Sequence, residues 1–316
     1  MDYAGLIYDD SRHYLDHLGP FCALLKWPLI ICEPSIAETA REYYPDLDVR
    51  EVPLWNLRLP TNTISCDTSP LLEAAFPCQK TNLLWLPHGN SDKGWNTPFF
   101  EALGSEAIAF VYGQKMIDFM RAKNVFPKTL RVGNFRWHYF LKHKIFYSKK
   151  IFFPKSKKTI LYAPTWDDAE NNCSFWKAFP QLATTLSDDC NLLVKLHPNT
   201  VRKYEIELEV LMGRYAKNNV VFLPEAPPIY PLLSFCDAYI GDMSSIGYDF
   251  LKFDRPMYFF NANQKLPLHQ CGTAVTPDTF ILSETDLFSQ TRNALYNYTF
   301  DPVPNWDDFI HSMKEG

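Results

Sequence analysis

The sequence lacks the patterns that define several common classes of protein. None of its eight cysteines forms a CxxC pair, and no set of His, Cys or carboxylate residues has metal-ligand spacing. It contains no GxxxxGK[ST] loop and no GxGxxG after the first predicted strand, which argues against an NTPase and a dinucleotide-dependent dehydrogenase. Its longest apolar runs are too short to cross a bilayer, since Lys26 and Pro28 interrupt the run at 24–32.

The chain also lacks an excess of basic residues. Its formal net charge of −5 argues against a nucleic-acid-binding protein. With no signal peptide and with scattered cysteines, we expect reduced thiols and a cytoplasmic protein. The local exception is a lysine-rich segment at 142–158, which we interpret as a solvated linker. A patch for phosphates or anionic lipid is the alternative, so peripheral contact with the inner face of the membrane stays open.

What the sequence does contain is a repeated alternation of strand-like and helix-like segments. In the first half we predict strands at 5–8, 28–32, 48–52, 82–86, 108–112 and 130–132, and helices at 17–25 and 114–123. In the second half we predict strands at 159–162, 191–196, 220–223, 238–241 and 256–260, and helices at 174–186, 201–216, 229–235, 284–296 and 306–313.

This alternation predicts an α/β protein with mostly parallel sheets wrapped by helices. We place the domain boundary within the lysine-rich segment. Residues 1–148 would form an N-terminal Rossmann-like domain and residues 149–316 a C-terminal one; the resemblance described below implies that the first is the acceptor side and that the second binds the donor. The last helix is expected to pack back on the first domain. Ligand loops of such sheets lie at the carboxyl ends of the strands, so we expect a cleft between the two domains.

The most informative stretch is 238–251, where an apolar strand ends at Gly241-Asp242 and helical spacing begins. Ser244 is a predicted N-cap, with a second hydroxyl at Ser245. Free backbone N–H groups, two hydroxyls and a helix dipole together suit a phosphate. Asp249 lies one turn below Ser245 and would suit a hydroxyl of a ribose or polyol. An ordinary capped turn without a ligand is the open alternative.

Other predicted strand ends also carry polar residues. The loop 86–94 contains His88, which could accept a proton from a hydroxyl nucleophile, with Lys93 five residues later. Arg136 follows the last strand of the first half and could hold a phosphate, although a surface arginine is the simpler interpretation. In the second half, Tyr162-Ala163-Pro164-Thr165-Trp166 and Lys195-Leu196-His197-Pro198 close two strands. Lys195 and His197 share one face and could direct two cations at one anion.

These motifs, His88-Gly89 with Lys93, 162–166, 195–198 and 242–250, resemble those of the CDP-glycerol glycerophosphotransferases. That family contains the teichoic-acid polymerases and primases and their CDP-ribitol relatives. Order and spacing are similar over about residues 80–262. The resemblance implies a GT-B fold, in which two Rossmann-like domains face each other across a cleft and the second binds most of the donor.

The resemblance also implies a reaction. A polyol-phosphate unit would pass from a CDP-linked donor to a hydroxyl of a glycan or polyol-phosphate acceptor, with release of CMP. His88 is similar to the family's base and His197 to the histidine on the donor phosphates. The other donor-binding positions would be Gly89, Lys93, Arg136, Thr165, Lys195, Ser244, Ser245 and Asp249. A divalent ion such as Mg²⁺ could help, but no protein ligand set requires one.

Two other classes of function stay open. One is a GT-B glycosyltransferase or epimerase that acts on a UDP-sugar and shares the fold and the phosphate loop. The other is a non-catalytic protein that binds a nucleotide-linked polyol as a sensor or scaffold. The nucleotide released from a panel of activated donors separates the three.

Overall fold

A computed structural model of the chain describes residues 3–93, 98–150, 157–167, 171–217, 219–223, 228–282 and 286–315. Contacts divide the chain into two compact units. Unit 1 comprises Met1–Asn90, Asn96–Tyr147 and Tyr298–Gly316, and unit 2 comprises Ser91–Trp95 and Ser148–Asn297. The division into independent domains at residue 148 stays a prediction.

Unit 1 is built on a parallel sheet with seven strands. They are β1 (Tyr3–Ile7), β2 (Leu29–Ile31), β3 (Val49–Glu51), β4 (Asn62–Ser65), β5 (Asn82–Trp85), β6 (Ile108–Val111) and β7 (Thr129–Arg131). The order is β3-β2-β1-β4-β5-β6-β7, and every pairing is parallel. Central strands such as β1 are almost wholly buried, which explains their short continuous apolar runs.

Helices connect these strands, as parallel pairing requires. They are α1 (Leu15–Leu25), α2 (Pro34–Tyr43), α3 (Ser69–Ala75), α4 (Gln114–Ala122), α5 (Phe135–Lys142) and α6 (Lys144–Lys150). Three 3₁₀ helices span Arg12–Tyr14, Leu54–Asn56 and Pro98–Ser105. Proline lies in the first turn of α2 and of α3, where its missing N–H would have no helical partner.

Unit 2 has its own sheet of six parallel strands. They are β8 (Lys158–Ala163), β9 (Cys190–Val194), β10 (Val220–Phe222), β11 (Ala238–Gly241), β12 (Met257–Phe259) and β13 (Thr273–Ala274), in the order β10-β9-β8-β11-β12-β13. The helices are α7 (Phe175–Thr185), α8 (Pro198–Lys203), α9 (Glu205–Tyr215), α10 (Ile229–Phe235), α11 (Ile246–Phe250) and α12 (Ser289–Thr299), with 3₁₀ helices at Leu251–Phe253 and Leu268–Cys271. Two separate parallel sheets confirm the predicted fold class.

The last helix, α13 (Trp306–Glu315), belongs to unit 1 and packs on α1. Tyr3 on β1 donates a hydrogen bond over 3.1 Å to the carbonyl of Met313. The Phe309 ring lies against Phe110 on β6, with the ring centres 6.2 Å apart. The first and last described parts of the chain therefore share one core.

The structure corrects several predicted elements. The lysine-rich segment is helical at α6, and its residues 151–156 lie outside the described residues. The single helix predicted at 201–216 is two helices, since the chain leaves helical geometry at Tyr204. The helix predicted at 284–296 is observed as α12, and position 284 lies outside the described residues. The prediction missed α2, α3, α5, β4 and β13.

In the described part of the chain, no helix has both the length and the apolar character needed to span a membrane. All eight cysteines lie in this part and are free thiols.

Candidate functional site

Each sheet has a point where the strand order reverses, and such points are where open α/β sheets bind ligands. In unit 1 it lies between β1 and β4, and in unit 2 between β8 and β11. The loops after β8 and β11 contain Thr165 and the Asp242–Ser245 turn. The loops after β1 and β4 contain His13 and Asp67.

Asp242 ties together the loops at the unit 2 reversal point. Its fully buried carboxylate accepts the backbone N–H of Thr165 at 2.7 Å and the backbone N–H and hydroxyl of Ser174 at 2.8 and 2.7 Å. Burial raises the pKa of Asp242, and the hydrogen bonds from Thr165 and Ser174 act in the opposite direction. The ring Nε2 of buried His269 lies 3.0 Å from the carbonyl of Asp242. Sequence analysis gave no role to Asp242, whose contacts are structural.

Thr165 and Lys93, both predicted to bind the donor, are brought together in unit 2. Thr165 is buried, and its hydroxyl accepts a hydrogen bond from the Lys93 ammonium. The Lys93 nitrogen lies 6.0 Å from the centre of the Trp166 ring. A cation, a hydroxyl and an aromatic face therefore meet at the end of β8.

The serine pair differs from its prediction. The N-cap position of α11 is Ser245, not Ser244, and neither a capping side-chain bond nor an extended cap conformation is present, since Ser245 has φ −60° and ψ −24°. Ser244 is buried and hydrogen-bonds with Tyr239, whereas Ser245 is half-buried. The helix has only five residues, so its dipole is weaker than the sequence suggested.

Close packing explains the glycine at the end of β11. A Cβ atom added at Gly241 would meet the Tyr239 hydroxyl at 2.0 Å, so a side chain there would displace the ring. Asp249 on α11 is also buried, and its carboxylate accepts a hydrogen bond from the Tyr230 hydroxyl at 2.9 Å. Asp249 therefore links α10 to α11, and its contact with a polyol stays a prediction.

His197 occupies the N-cap position of α8, where its Nδ1 accepts the backbone N–H of Asn199 at 3.1 Å. In the neutral imidazole this bond fixes the remaining proton on Nε2, which becomes a donor. The Trp166 ring lies 6.2 Å away between centres. Lys195 and His197 are half-buried on either side of buried Leu196, and the Lys195 ammonium donates to the carbonyl of Leu196 at 3.1 Å.

In unit 1, His88 lies in the loop after β5 among aromatic rings that sequence analysis missed. The ring centres of Tyr14, His13 and His17 lie 5.3, 5.6 and 6.5 Å from that of His88. Gly89 follows with φ +124°, a conformation that side chains rarely adopt. The spacing of His13 and His17, four residues apart after the first strand, was the available signal.

Tyr14 is held in this cluster by a buried carboxyl group. Its hydroxyl donates to the carboxylate of Asp67, in the loop after β4, at 2.9 Å. Burial raises the pKa of Asp67, and the hydrogen bond from Tyr14 lowers it. Burial and the neighbouring Asp67 raise the pKa of Tyr14. Tyr14 is therefore a neutral donor next to His88.

Arg136 is not the surface arginine of the simpler interpretation. It lies on α5 of unit 1 with only 4% of its surface exposed. Its guanidinium forms an ion pair with Asp16 on α1 at 2.8 Å. Its predicted contact with a phosphate stays a prediction. Among the described residues, no group of three or more His, Cys, Asp or Glu could hold a metal ion.

Solved structures of other proteins show which fold the chain has. The chain superposes on the wall teichoic acid polymerase TagF, in a variant soaked with CDPG, with a TM-score of 0.71 and 16% identity, covering 99% of this chain and 89% of that one. It also superposes on the UDP-GlcNAc 2-epimerase of Methanocaldococcus jannaschii, with a TM-score of 0.65 and 10% identity over the whole of both chains. The fold is GT-B.

Sequence comparisons then show similarity to one family over part of the chain. Residues 138–272 match the family model described as CDP-Glycerol:Poly(glycerophosphate) glycerophosphotransferase. The teichoic acid glycerol-phosphate primase of Bacillus spizizenii is 34% identical over 111 residues, which are 34% of this chain and 26% of the primase. The chain therefore matches about a quarter of that relative's length. The resemblance that the motifs indicated is therefore confirmed for residues 138–272.

Proposed function

We propose that this protein transfers a glycerol-phosphate or related polyol-phosphate unit from a CDP-linked donor to an acceptor hydroxyl and releases CMP. The observation that carries the proposal is the meeting of Lys93, Thr165 and Trp166 at the strand-order reversal of unit 2. Thr165, Trp166, His197 and the serine pair also lie inside the stretch that matches the family. A cation beside an aromatic face suits a nucleotide pyrophosphate.

The proposed reaction is a substitution at phosphorus. The acceptor oxygen forms a bond to the phosphorus that carries the polyol, and the bond from this phosphorus to the bridging oxygen breaks. CMP leaves with the bridging oxygen. His88 accepts the proton of the acceptor hydroxyl. The Nε2–H of His197 and the ammonium of Lys93 stabilise charge on the pyrophosphate, because ionised partners strengthen such hydrogen bonds.

The test is the identity of the nucleotide released. The protein is incubated with CDP-glycerol, CDP-ribitol and a UDP-sugar, each with a glycerol-phosphate oligomer as acceptor, and nucleotides are separated by chromatography. CMP from a CDP-polyol supports the proposal. UDP from the sugar donor would instead indicate the glycosyltransferase or epimerase. Binding of a CDP-polyol in calorimetry without release would indicate a non-catalytic protein. Repeating the CMP assay with EDTA tests whether Mg²⁺ takes part.

We also propose that the protein works in the cytoplasm in peripheral contact with the inner face of the membrane. The support is an exposed apolar and basic surface at the end of unit 1, where Leu141 and Ile145 are 47% and 75% exposed. Exposed lysines lie near them in sequence at positions 142 and 144, and α6 continues to exposed lysines at 149 and 150. Lysines near an anionic surface contribute about 1 kcal/mol each.

Sedimentation with vesicles tests this contact. We expect binding to phosphatidylglycerol vesicles and not to phosphatidylcholine vesicles. Ile145→Asp should weaken it, whereas the control Ile206→Asp, at a position 74% exposed on α9, should not. Equal vesicle binding by Ile145→Asp and Ile206→Asp would contradict the proposal that the surface at Ile145 contacts the membrane.

A further inference from the structure

The backbone before His88 is fixed by a buried tyrosine. Tyr112, the residue after β6, is 1% exposed, and its hydroxyl donates to the carbonyl of Pro87 at 2.9 Å. Pro87 immediately precedes His88, and Gly89 with positive φ follows it. The short segment that carries His88 is therefore held at its start by a hydrogen bond from a different strand.

The same hydroxyl also contacts His17 on α1. Nδ1 of His17 lies 2.8 Å from the Tyr112 oxygen, and His17 is buried. A tyrosine hydroxyl carries one proton, and the Pro87 carbonyl can only accept. Both contacts are satisfied when Nδ1 of His17 carries a proton and donates it to Tyr112. The three groups thus form a directed chain from His17 through Tyr112 to Pro87.

The environment keeps His17 neutral in this role. Burial lowers the pKa of His17 well below its usual value, and the nearby charge of Arg136 adds to this effect. His13 and His88 act in the same direction. The guanidinium of Arg136 also forms an ion pair with Asp16, the residue before His17 on α1. The His17 ring meets the His88 ring edge to face, with an interplanar angle of 87°.

We propose that Tyr112 and His17 are positioning residues for His88. Tyr112 fixes the backbone that carries the imidazole, and His17 orients the Tyr112 hydroxyl and packs against the imidazole itself. The expected effect on turnover rests on the proposed function, in which His88 is the base. The hydrogen-bond chain predicts an effect on His88 that can be measured without any reaction. A merely structural tyrosine would affect stability and leave the His88 ring unchanged.

The central variant is Tyr112→Phe, and the chain offers a matched control. Tyr147 is also buried in unit 1, at 2% exposure, and its hydroxyl donates to the backbone carbonyl of Tyr43 at 2.8 Å. Tyr147→Phe therefore removes the same group and the same kind of hydrogen bond elsewhere. We expect the two variants to lower the urea midpoint of unfolding by similar amounts. Only Tyr112→Phe should shift the ring nitrogen resonances of His88 in NMR.

Turnover separates positioning from stability. We expect Tyr112→Phe to lower kcat for CMP release about 10- to 100-fold relative to Tyr147→Phe, because small displacements of a catalytic group cost that much. The Kd for CDP-glycerol, measured by calorimetry, should stay unchanged. Equal kcat values in two folded variants would overturn the proposal.

A conservative variant at His17 provides a rescue. In His17→Asn the amide N–H can replace the Nδ1–H donor to Tyr112, whereas His17→Leu cannot donate. Both variants lose the ring contact with His88, so the comparison is between them: we expect His17→Asn to retain a larger fraction of kcat and a smaller shift of the His88 resonances than His17→Leu. If the wild type releases no CMP, the proposed function fails, and the NMR comparison still decides the positioning role. Unchanged His88 resonances in Tyr112→Phe would exclude it.

Discussion

The carboxylate of Asp242 accepts the backbone N–H of Thr165 over 2.7 Å, and the two residues are 77 positions apart in the sequence. The same carboxylate holds the start of α7 through Ser174. Since β8 and β11 are neighbours in the sheet, this one side chain fixes the geometry of both loops at their ends. Asp242 therefore helps to fix the position of the Thr165 hydroxyl, which is the group that accepts a hydrogen bond from Lys93.

Asp242→Asn should therefore destabilise the protein by about 3 kcal/mol, because hydrogen bonds to a charged acceptor contribute about 1.5–3 kcal/mol each and an amide nitrogen cannot accept them. The control is Asp237→Asn at the other end of β8. The exposed carboxylate of Asp237 accepts one backbone N–H, that of Thr159, at 2.8 Å. We expect a loss of about 1 kcal/mol there. Urea unfolding measures both, and equal losses would contradict the role of Asp242.

Replacing His197 should weaken donor binding. In His197→Asn the side-chain oxygen can still accept the Asn199 N–H, so the N-cap is retained while the Nε2–H donor is lost. We expect the Kd for CDP-glycerol to rise about tenfold, which corresponds to about 1.4 kcal/mol. His311→Ala, at an exposed position on α13, is the control for calorimetry. A wild-type Kd for His197→Asn would remove Nε2 from the donor site.

The two serines should respond differently to alanine. Ser244 is buried against Tyr239, so Ser244→Ala should lower stability by about 1 kcal/mol through the lost hydrogen bond. Ser245 is half-buried with no capping bond, so Ser245→Ala should leave stability unchanged and raise the donor Kd. Calorimetry and urea unfolding of both variants test this. An unchanged Kd in Ser245→Ala would place the donor phosphates elsewhere.

His88→Ala should lower the rate of CMP release by about 10²–10⁴-fold, the usual contribution of a general base. Donor affinity should stay the same, because the base acts on the acceptor hydroxyl in the transition state. The wild-type rate of CMP release should fall at acid pH as the His88 imidazole takes up a proton. The rate of His88→Ala should not show this decrease. Steady-state rates between pH 5 and 9 decide the matter. Near-normal turnover by His88→Ala would exclude His88 as the base, and Asp92 would then be the next candidate.

Stability should fall below pH 6.5. The pKa of buried His17 is lowered well below its usual value of 6.5 by burial, so His17 stays neutral in the folded state while the unfolded chain takes up a proton. Unfolding is then favoured as the pH falls from 6.5 towards the folded pKa. Burial also lowers the pKa of His138 and His143, which adds to the trend.

His17 is expected to contribute a loss of stability between pH 7.5 and 5.5, because the unfolded chain binds a proton that the folded state does not. Urea unfolding at pH 7.5 and 5.5 measures the difference for the wild type. His17→Asn cannot titrate and should show a smaller loss. The same loss in both proteins would mean that His17 is protonated when folded.

Much of the fold was predictable because buried parallel strands are short continuous apolar runs. The strand at 238–241 and the helix at 229–235 were predicted within their observed bounds. The central strand β4 was missed because its sequence, Asn-Thr-Ile-Ser, has one apolar residue. Its Thr63 hydroxyl lies 2.8 Å from that of Thr81, so a partner distant in sequence makes burial possible. No local pattern contains that information.

The site was predictable to the extent that its residues follow strands. Thr165, Lys195 and His197 were predicted at strand ends and lie just after β8 and β9, whereas the contact of Lys93 with Thr165 was not predicted. The contact of His17 with Tyr112 spans 95 positions, and a pattern of neighbouring residues cannot reveal it. Asp249 has a buried partner that its sequence position did not reveal, the Tyr230 hydroxyl, and its contact with a polyol stays a prediction.

The return of the chain to unit 1 has a consequence for synthesis on the ribosome. The core of unit 1 needs Phe309 and Met313, which are 8% and 6% exposed. Translation delivers these residues only after all of unit 2 has been made. We therefore expect unit 2 to fold first. Unit 1 would stay incompletely folded until α13 has been synthesised. A fragment that ends at Tyr147 would stay partly open unless residues 298–315 were supplied as a peptide or fused to it.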